Sequence, residues 1–238
     1  MMMRKLLFLL AFAFAAMLQA ADFVTESRWI TASEGDVNAQ NTWIAFRKDI
    51  TLGSIPMKVE ASIAVASKYW LWINGEMVVF GGQLKRGPTP KDTYYDKVDI
   101  TPFLKKGNNE VAVLLWYFGK SGFSHNSSGK SGLLFSAQAI GLYSDSQWMS
   151  RIHPAYGTCG DPKPNGRLSE SSIKYDGNKD LGEWQTGDIQ SGFAASKEIG
   201  KAGSAPWNAL VERPTPLWKD FGPKKGKYTT KRGAEEDT

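Results

Sequence analysis

The chain has little with which to perform covalent or metal chemistry. Its 238 residues include one cysteine, Cys159, and two histidines, His125 and His153. A lone thiol forms no internal disulfide. Two histidines and one cysteine without ligand spacing offer no zinc site. A marked excess of one charge is also missing. The formal net charge is +5, but Arg4 with Lys5 and the tail Lys224–Thr238 each account for +2, which leaves about +1 for the body. A near-neutral body gives no electrostatic case for nucleic acid. Long helices are argued against by 24 glycines and 11 prolines, and no segment keeps an apolar stripe at helical spacing over three turns. The one long apolar run, Leu6–Met17, falls short of the ~20 residues that a bilayer span requires.

That run follows Arg4 and Lys5 and precedes the small residues Ala20 and Ala21. Residues 1–20 therefore read as a signal peptide cleaved after Ala20. The expectation is a secreted or periplasmic protein with no membrane attachment after cleavage.

Nine tryptophans and an aromatic content of 12% accompany a series of short strand patterns. Met57–Ala66 alternates, with Val59, Ala61, Ile63 and Val65 on one face, and predicts a half-buried strand. Tyr69–Ile73 and Glu76–Phe80 flank Asn74-Gly75, a hairpin signal because a type I′ turn places both central residues at positive φ. Tyr94–Val98 predicts a short strand. Asp99 to Gly107 reads as a single capped turn. Glu110–Phe118 is apolar on both faces and predicts a buried strand. Leu133–Leu142 and Gln147–Ile152 follow as strands. Trp70 and Trp72 share a face and are read as core. The stretch from His153 to Pro223 holds seven of the eleven prolines, yet its tryptophans argue for ordered loops and strands packed on the body. The fold class predicted is all-β, a β-sandwich or jelly roll. The expected organisation is a signal peptide over 1–20, a sandwich over 21–222 and a disordered tail over 223–238.

Three stretches in order are Tyr69-Trp-Leu-Trp-Ile-Asn-Gly-Glu76, Tyr95-Asp-Lys-Val-Asp-Ile-Thr101 and Leu104-Lys-Lys-Gly-Asn-Asn-Glu-Val-Ala-Val113. They resemble galactose-binding-like jelly rolls, and in particular the amino-terminal region of bacterial α-L-rhamnosidases. Thr42–Lys48, Gly119–Asn126 and Arg213–Trp218 add to the resemblance, which covers Asp22 to Gly222. It implies a carbohydrate-associated sandwich. In that family the hydrolytic carboxylates lie in a helical barrel beyond such β domains. No catalytic residue is therefore carried over to this chain.

Of the chain's own carboxylates, Glu60, Glu76, Asp92, Asp96 and Asp99 fall in strand-edge or turn contexts, and Asp99 has a structural task as a cap. Sugar sites stack an aromatic ring on the apolar face of a sugar and set polar groups around it. Trp116 and Tyr117 end the buried strand and lead into a Gly/Ser loop holding His125, Asn126 and Lys130. Loops on a rigid scaffold carry function, so these five residues are the predicted carbohydrate-binding set. The partner expected is a rhamnose-containing polysaccharide or oligosaccharide. No cofactor is expected. Calcium is considered at Asp161–Asn165 and Asp176–Asp180, where oxygen ligands are plentiful.

Overall fold

Fifteen short strands and no α-helix make up the described residues of this computed structural model, which are 23–83, 85–123, 125–160, 168–187, 192–219 and 226. In chain order the strands are β1 (Arg28–Thr31), β2 (Thr42–Leu52), β3 (Glu60–Val65), β4 (Lys68–Ile73), β5 (Glu76–Gly82), β6 (Thr93–Asp99), β7 (Gly107–Tyr117) and β8 (Leu133–Ala137). They continue as β9 (Leu142–Tyr143), β10 (Met149–Ile152), β11 (Tyr156–Thr158), β12 (Ile173–Tyr175), β13 (Ala194–Ala195), β14 (Lys197–Lys201) and β15 (Leu210–Glu212). The expected signal peptide lies outside the described residues, as does the expected tail apart from Gly226.

One sheet has the order β14–β1–β8–β3–β6–β15, with β9 paired to β8; a second runs β13–β10–β2–β7–β4–β5, and β11 with β12 makes a separate two-stranded ribbon. All pairs are antiparallel except β15 on β6. The two sheets stack as the predicted all-β sandwich. Alternation decides what lies between them. From the six-stranded sheet, Ile44, Phe46, Tyr69, Leu71, Val113 and Leu115 point inward. They meet Ile63, Val65, Phe135 and Trp148, all buried. Each such aliphatic or Phe side chain contributes about 1.5–3 kcal/mol on burial.

The motif residues hold one end of this core. Asn74 and Gly75 adopt φ of 51° and 79°, as the type I′ turn requires. Asn74 Oδ1 accepts Glu110 N–H (3.2 Å) and its Nδ2 donates to Phe103 O (2.8 Å). Nδ2 also reaches Asn109 Oδ1 at 3.0 Å. Asn109, fully buried, accepts from Lys105 N and donates back to Lys105 O. The two Asn-bearing motifs are thus one hydrogen-bonded unit. Asp99 Oδ1 takes Thr101 N–H (3.0 Å) and the Thr101 hydroxyl (2.6 Å). Asp99 thus holds the first amide of a 3-10 turn over Thr101–Phe103 from one position before the N-cap, Ile100, whose own side chain makes no cap bond, and its bonds to Thr101 pull the Asp99 pKa below its ordinary value.

Gly75→Val should lower the melting temperature, by about 1–2 kcal/mol of positive-φ strain plus a clash. A Cβ at Gly75 falls 2.5 Å from Thr186 Cγ2, whereas at Gly53 it meets nothing. Gly53→Ala is the matched control, and equal melts for the two variants would contradict the turn assignment.

Three strand expectations need correction. β3 is buried on both faces beyond Glu60, because Trp29, Tyr95, Leu134, Trp207 and Leu210 cover its outer side around Ala64. Leu133–Leu142 is broken by a 3-10 turn at Gln138–Ile140, which Gly141 ends at φ 63°; the chain then reverses so that β9 pairs back on β8. β10 begins only at Met149, since Asp145 holds the Gln147 and Trp148 amides in a turn.

Candidate functional site

The outer face of the six-stranded sheet carries the remaining large aromatics. Registration puts Trp43, Trp116 and Lys68 in one row across β2, β7 and β4; Ala45, Leu114 and Trp70 in the next; and Arg47, Ala112 and Trp72 in a third. One step further, Asp49 faces Glu110. Described parts of the chain that follow β10, carrying His153, Tyr156, Leu181, Trp184 and Phe193, form an arm over the first three rows. Tyr156 stacks on Trp43 with centroids 4.1 Å apart, and Trp184 meets Trp72 edge-on at 5.9 Å. Leu181 and Phe193 fill between them.

Arg47 locks the arm. Its side chain is 3% exposed. Nη1 donates to Trp184 O (2.9 Å) and Gly187 O (2.7 Å), while Nε donates to Asp49 Oδ1 (2.7 Å). His153 sits at the root of the arm, buried, edge-on to Tyr156 and Trp184. Its Nδ1 accepts from Ala155 N at 3.4 Å, which is the neutral form's role. Burial drives its pKa down to about 4; Asp180, 3.7 Å away, opposes this and Arg151 adds to it. The unfolded chain therefore takes up this proton first as the pH falls. Stability from the neutral ring is complete above about pH 6.5 and is lost towards about 4. Between pH 7 and pH 5 the loss is on the order of 1–2 kcal/mol. Unfolding midpoints at pH 7 and pH 5 test this, and His153→Gln should flatten the difference. An unchanged difference would count against the assignment.

The arm closes the β2 side and leaves the β4–β5 side half open. Trp70 and Trp72 are half-buried there, and Phe80 and Met77 of the edge strand are exposed. Trp70 stacks on Trp43 at 5.4 Å and meets Phe80 edge-on at 6.5 Å. Lys68 Nζ lies 5.2 Å from the Trp70 ring centre. Burial lowers the Lys68 pKa, against the pull of Glu170. Trp70 and Trp72 thus share a face as expected, but it is the outer one, since Tyr69, Leu71 and Ile73 take the inner positions.

At the foot of this face is a polar cleft of about 360 Å³, walled by Arg47, Asp49, Thr51, Asn108, Glu110 and Thr186. It begins one row from Trp72, about 7 Å along the strands. The carboxylates face each other, yet each has a cation: Arg47 for Asp49, and Lys105 Nζ 3.8 Å from Glu110. Neither lies in the apolar enclosure that general-acid chemistry uses. Sequence reasoning missed this pair because β2 extends past the Thr42–Lys48 motif to Leu52. Asp49, Thr51, Asn108 and Glu110 meet only through that extension.

The predicted set is placed differently. Trp116 is 5% exposed; it stacks on Trp43 and donates Nε1–H to Asn41 Oδ1 at 2.8 Å. Tyr117 points to the opposite face, into the core, with its hydroxyl 3.4 Å from Ser127 Oγ; burial raises its pKa. Consecutive strand residues alternate faces, so the two could not share a site. His125 is buried, edge-on to Phe118, with Nε2 3.3 Å from Ser67 Oγ. All three are covered by neighbouring side chains and offer no open ring, in place of the stacking surface expected at Trp116. Asn126 is half-buried and Lys130 exposed; Lys130 lines a separate cleft.

The Asp161–Asn165 loop lies outside the described residues. Asp176 caps Asn178 N and sits 3.6 Å from Lys179 Nζ. Asp180 faces His153 and bonds Tyr175, whose pKa it pushes up to about 12. Among the described residues no group of three or more His, Cys, Asp or Glu is placed to hold a metal ion. No helix there is long and apolar enough to cross a membrane.

No family model and no curated protein matches the chain. Solved structures do. The GH78 family rhamnosidase of Bacillus sp. GL1 is 27% identical with a TM-score of 0.70, over 80% of this chain and 20% of that one. The chain resembles the β-sandwich region of α-L-rhamnosidases. The α-L-rhamnosidase of Dictyoglumus thermophilum (20% identity, TM-score 0.57, 81% and 23% covered) and that of Aspergillus terreus (20%, 0.58, 78% and 22%) have the same fold. The chain spans about a fifth of the length of the rhamnosidases it matches.

Proposed function

We propose that the chain is the non-catalytic, carbohydrate-binding sandwich of an exported α-L-rhamnosidase-like protein, and that it takes rhamnose-containing oligosaccharide or polysaccharide. The half-open row Trp70–Trp72 carries this reading. A 6-deoxy sugar presents a methyl group and a C–H face that suit such rings, and hydroxyls that suit Asp49 and Glu110 one row away and Asn108 beyond them. Export rests on the charged and then apolar start of the sequence. Hydrolysis is not part of the reading, because a glycosidase pairs a nucleophile or base with an enclosed acid.

An open platform supplies one stacking contact and a few hydrogen bonds, each netting about 0.5–1.5 kcal/mol. A total near −4 kcal/mol is a roughly millimolar Kd. Calorimetric titration with methyl α-L-rhamnoside and rhamnosyl oligosaccharides is the test, repeated on Trp70→Ala and Glu110→Gln. Each substitution should weaken binding about tenfold, or ~1.4 kcal/mol. No heat with any rhamnoside would favour a sandwich that only supports neighbouring domains. Unaltered binding in both variants would move the site off this face.

A further inference from the structure

A second cleft, of about 250 Å³, opens away from the aromatic face. It is lined by Thr31 at the end of β1, by Ser33, Val37 and Asn38 of the following loop, by Lys130, and by Lys197 and Ile199 of β14. β1 and β14 pair antiparallel with a register shift between Trp29 and Ile30, after which Thr31 lies opposite Lys197. Its floor is fixed by hydrogen bonds across sequence-distant loops. Thr31 Oγ1 and Ser131 Oγ lie 2.9 Å apart, and Asn38 Oδ1 accepts Ser131 N–H at 2.9 Å. That second bond settles the Asn38 amide, with its oxygen held inward and its NH₂ left as donor.

The charge lining this cleft has one sign. No carboxylate is among the lining residues. Neither Lys130 nor Lys197 has a carboxylate within ion-pair distance among the described residues. Glu198, next along β14, is turned to the other side, where Arg28 Nε lies 3.7 Å away and Ser146 N–H donates to it. Glu34 lines the neighbouring cleft with Ser150 and Ile152. Two ammonium groups, a hydroxyl and an amide donor therefore face one volume with no internal anion. Val37 and Ile199 add an apolar wall.

We propose that this cleft binds the carboxylate of an acidic sugar, a hexuronate, so that the module recognises acidic as well as neutral residues of a glycan. This rests on the carbohydrate reading above, but uses a different site and a different chemistry. A carboxylate bridges the two ammonium groups as charge-assisted hydrogen bonds, the ring's C–H face lies on Val37 and Ile199, and Ser33 and Asn38 take hydroxyls. Being solvent-exposed, the attraction is screened by salt.

The experiment titrates the full chain at low salt with galacturonate, galactose, acetate and methyl α-L-rhamnoside in parallel. The same titrations are run on Lys130→Gln, Lys197→Gln and the double variant, all checked for an unchanged melt. Galacturonate should bind at least about tenfold tighter than galactose. That preference should disappear in the double variant and shrink severalfold at 0.5 M salt relative to 0.05 M, a change that shortens the Debye length about threefold. Equal affinity for galacturonate and galactose overturns the proposal, as does a preference that survives the double substitution. Acetate competing as well as galacturonate also overturns it, leaving a generic anion patch. Rhamnoside binding without galacturonate preference refutes this cleft alone. Galacturonate preference without rhamnoside binding supports the cleft and refutes the aromatic platform. No binding of either sugar refutes both.

Discussion

Asp96→Ala should cost about 3–5 kcal/mol of folding stability, the usual effect of stranding one partner of a buried ion pair. Asp96 is 4% exposed on β6. Its Oδ1 accepts Arg213 Nε–H at 2.5 Å and its Oδ2 accepts the Tyr69 hydroxyl at 3.0 Å. Tyr69 comes from the other sheet, and burial, with Asp96 beside it, holds its pKa well above the ordinary value. Arg213 follows β15, the one parallel strand, and its amide donates to Tyr95 O. The triad thus ties both sheets and the C-terminal strap together. Without Asp96, a guanidinium is left buried and unpaired. The double variant Asp96→Ala/Arg213→Met should recover most of the loss, giving a coupling energy that a double-mutant cycle reads directly. Denaturant melts supply the values. A single-variant loss below about 0.5 kcal/mol would show that the pair is not buried as described.

Arg47→Met should cost about 3–6 kcal/mol, because two carbonyl acceptors each lose a charged donor worth about 1.5–3 kcal/mol, while the half-exposed Asp49 is rehydrated and adds little. Methionine keeps much of the volume, so the cost reflects hydrogen bonding more than cavity formation. The arm should open locally, since Trp184 and Gly187 are held to the sheet through this side chain. Hydrogen exchange should therefore accelerate at residues 181–187 while β3 and β8 amides stay protected. Uniform loss of protection would place Arg47 in the global core instead. Fully retained protection would make the three bonds dispensable.

Much of the fold was legible because local chemistry decides it. Asn74-Gly75 names its own turn, and the two apolar faces of Glu110–Phe118 require a central strand. Asp99 reads as a cap without reference to anything distant. The site was less legible for physical reasons. On β4 both faces are apolar, so period two separates Tyr69, Leu71 and Ile73 from Trp70 and Trp72 without saying which set meets the other sheet. Trp116 and Tyr117 looked like one site because they adjoin in sequence, though strand geometry sends them to opposite faces. The Asp49–Glu110 pair exists only through the register of β2 on β7. That register is set by long-range pairing and not by any motif near either residue. Lys130, alone among the five expected residues, is exposed and lines a cleft, but its neighbour Lys197 arrives through β14, which no local signal connects to that loop.

The most direct measurement of the central claim is a titration of the ¹⁵N-labelled chain with methyl α-L-rhamnoside, followed at the nine tryptophan indole N–H resonances. Binding on the open aromatic row should shift the Trp70 and Trp72 signals progressively up to millimolar sugar. Trp29, Trp148 and Trp207, fully buried on other faces, should stay in place. Static Trp70 and Trp72 signals at saturating sugar, or shifts confined to Trp218, would contradict carbohydrate binding on this face.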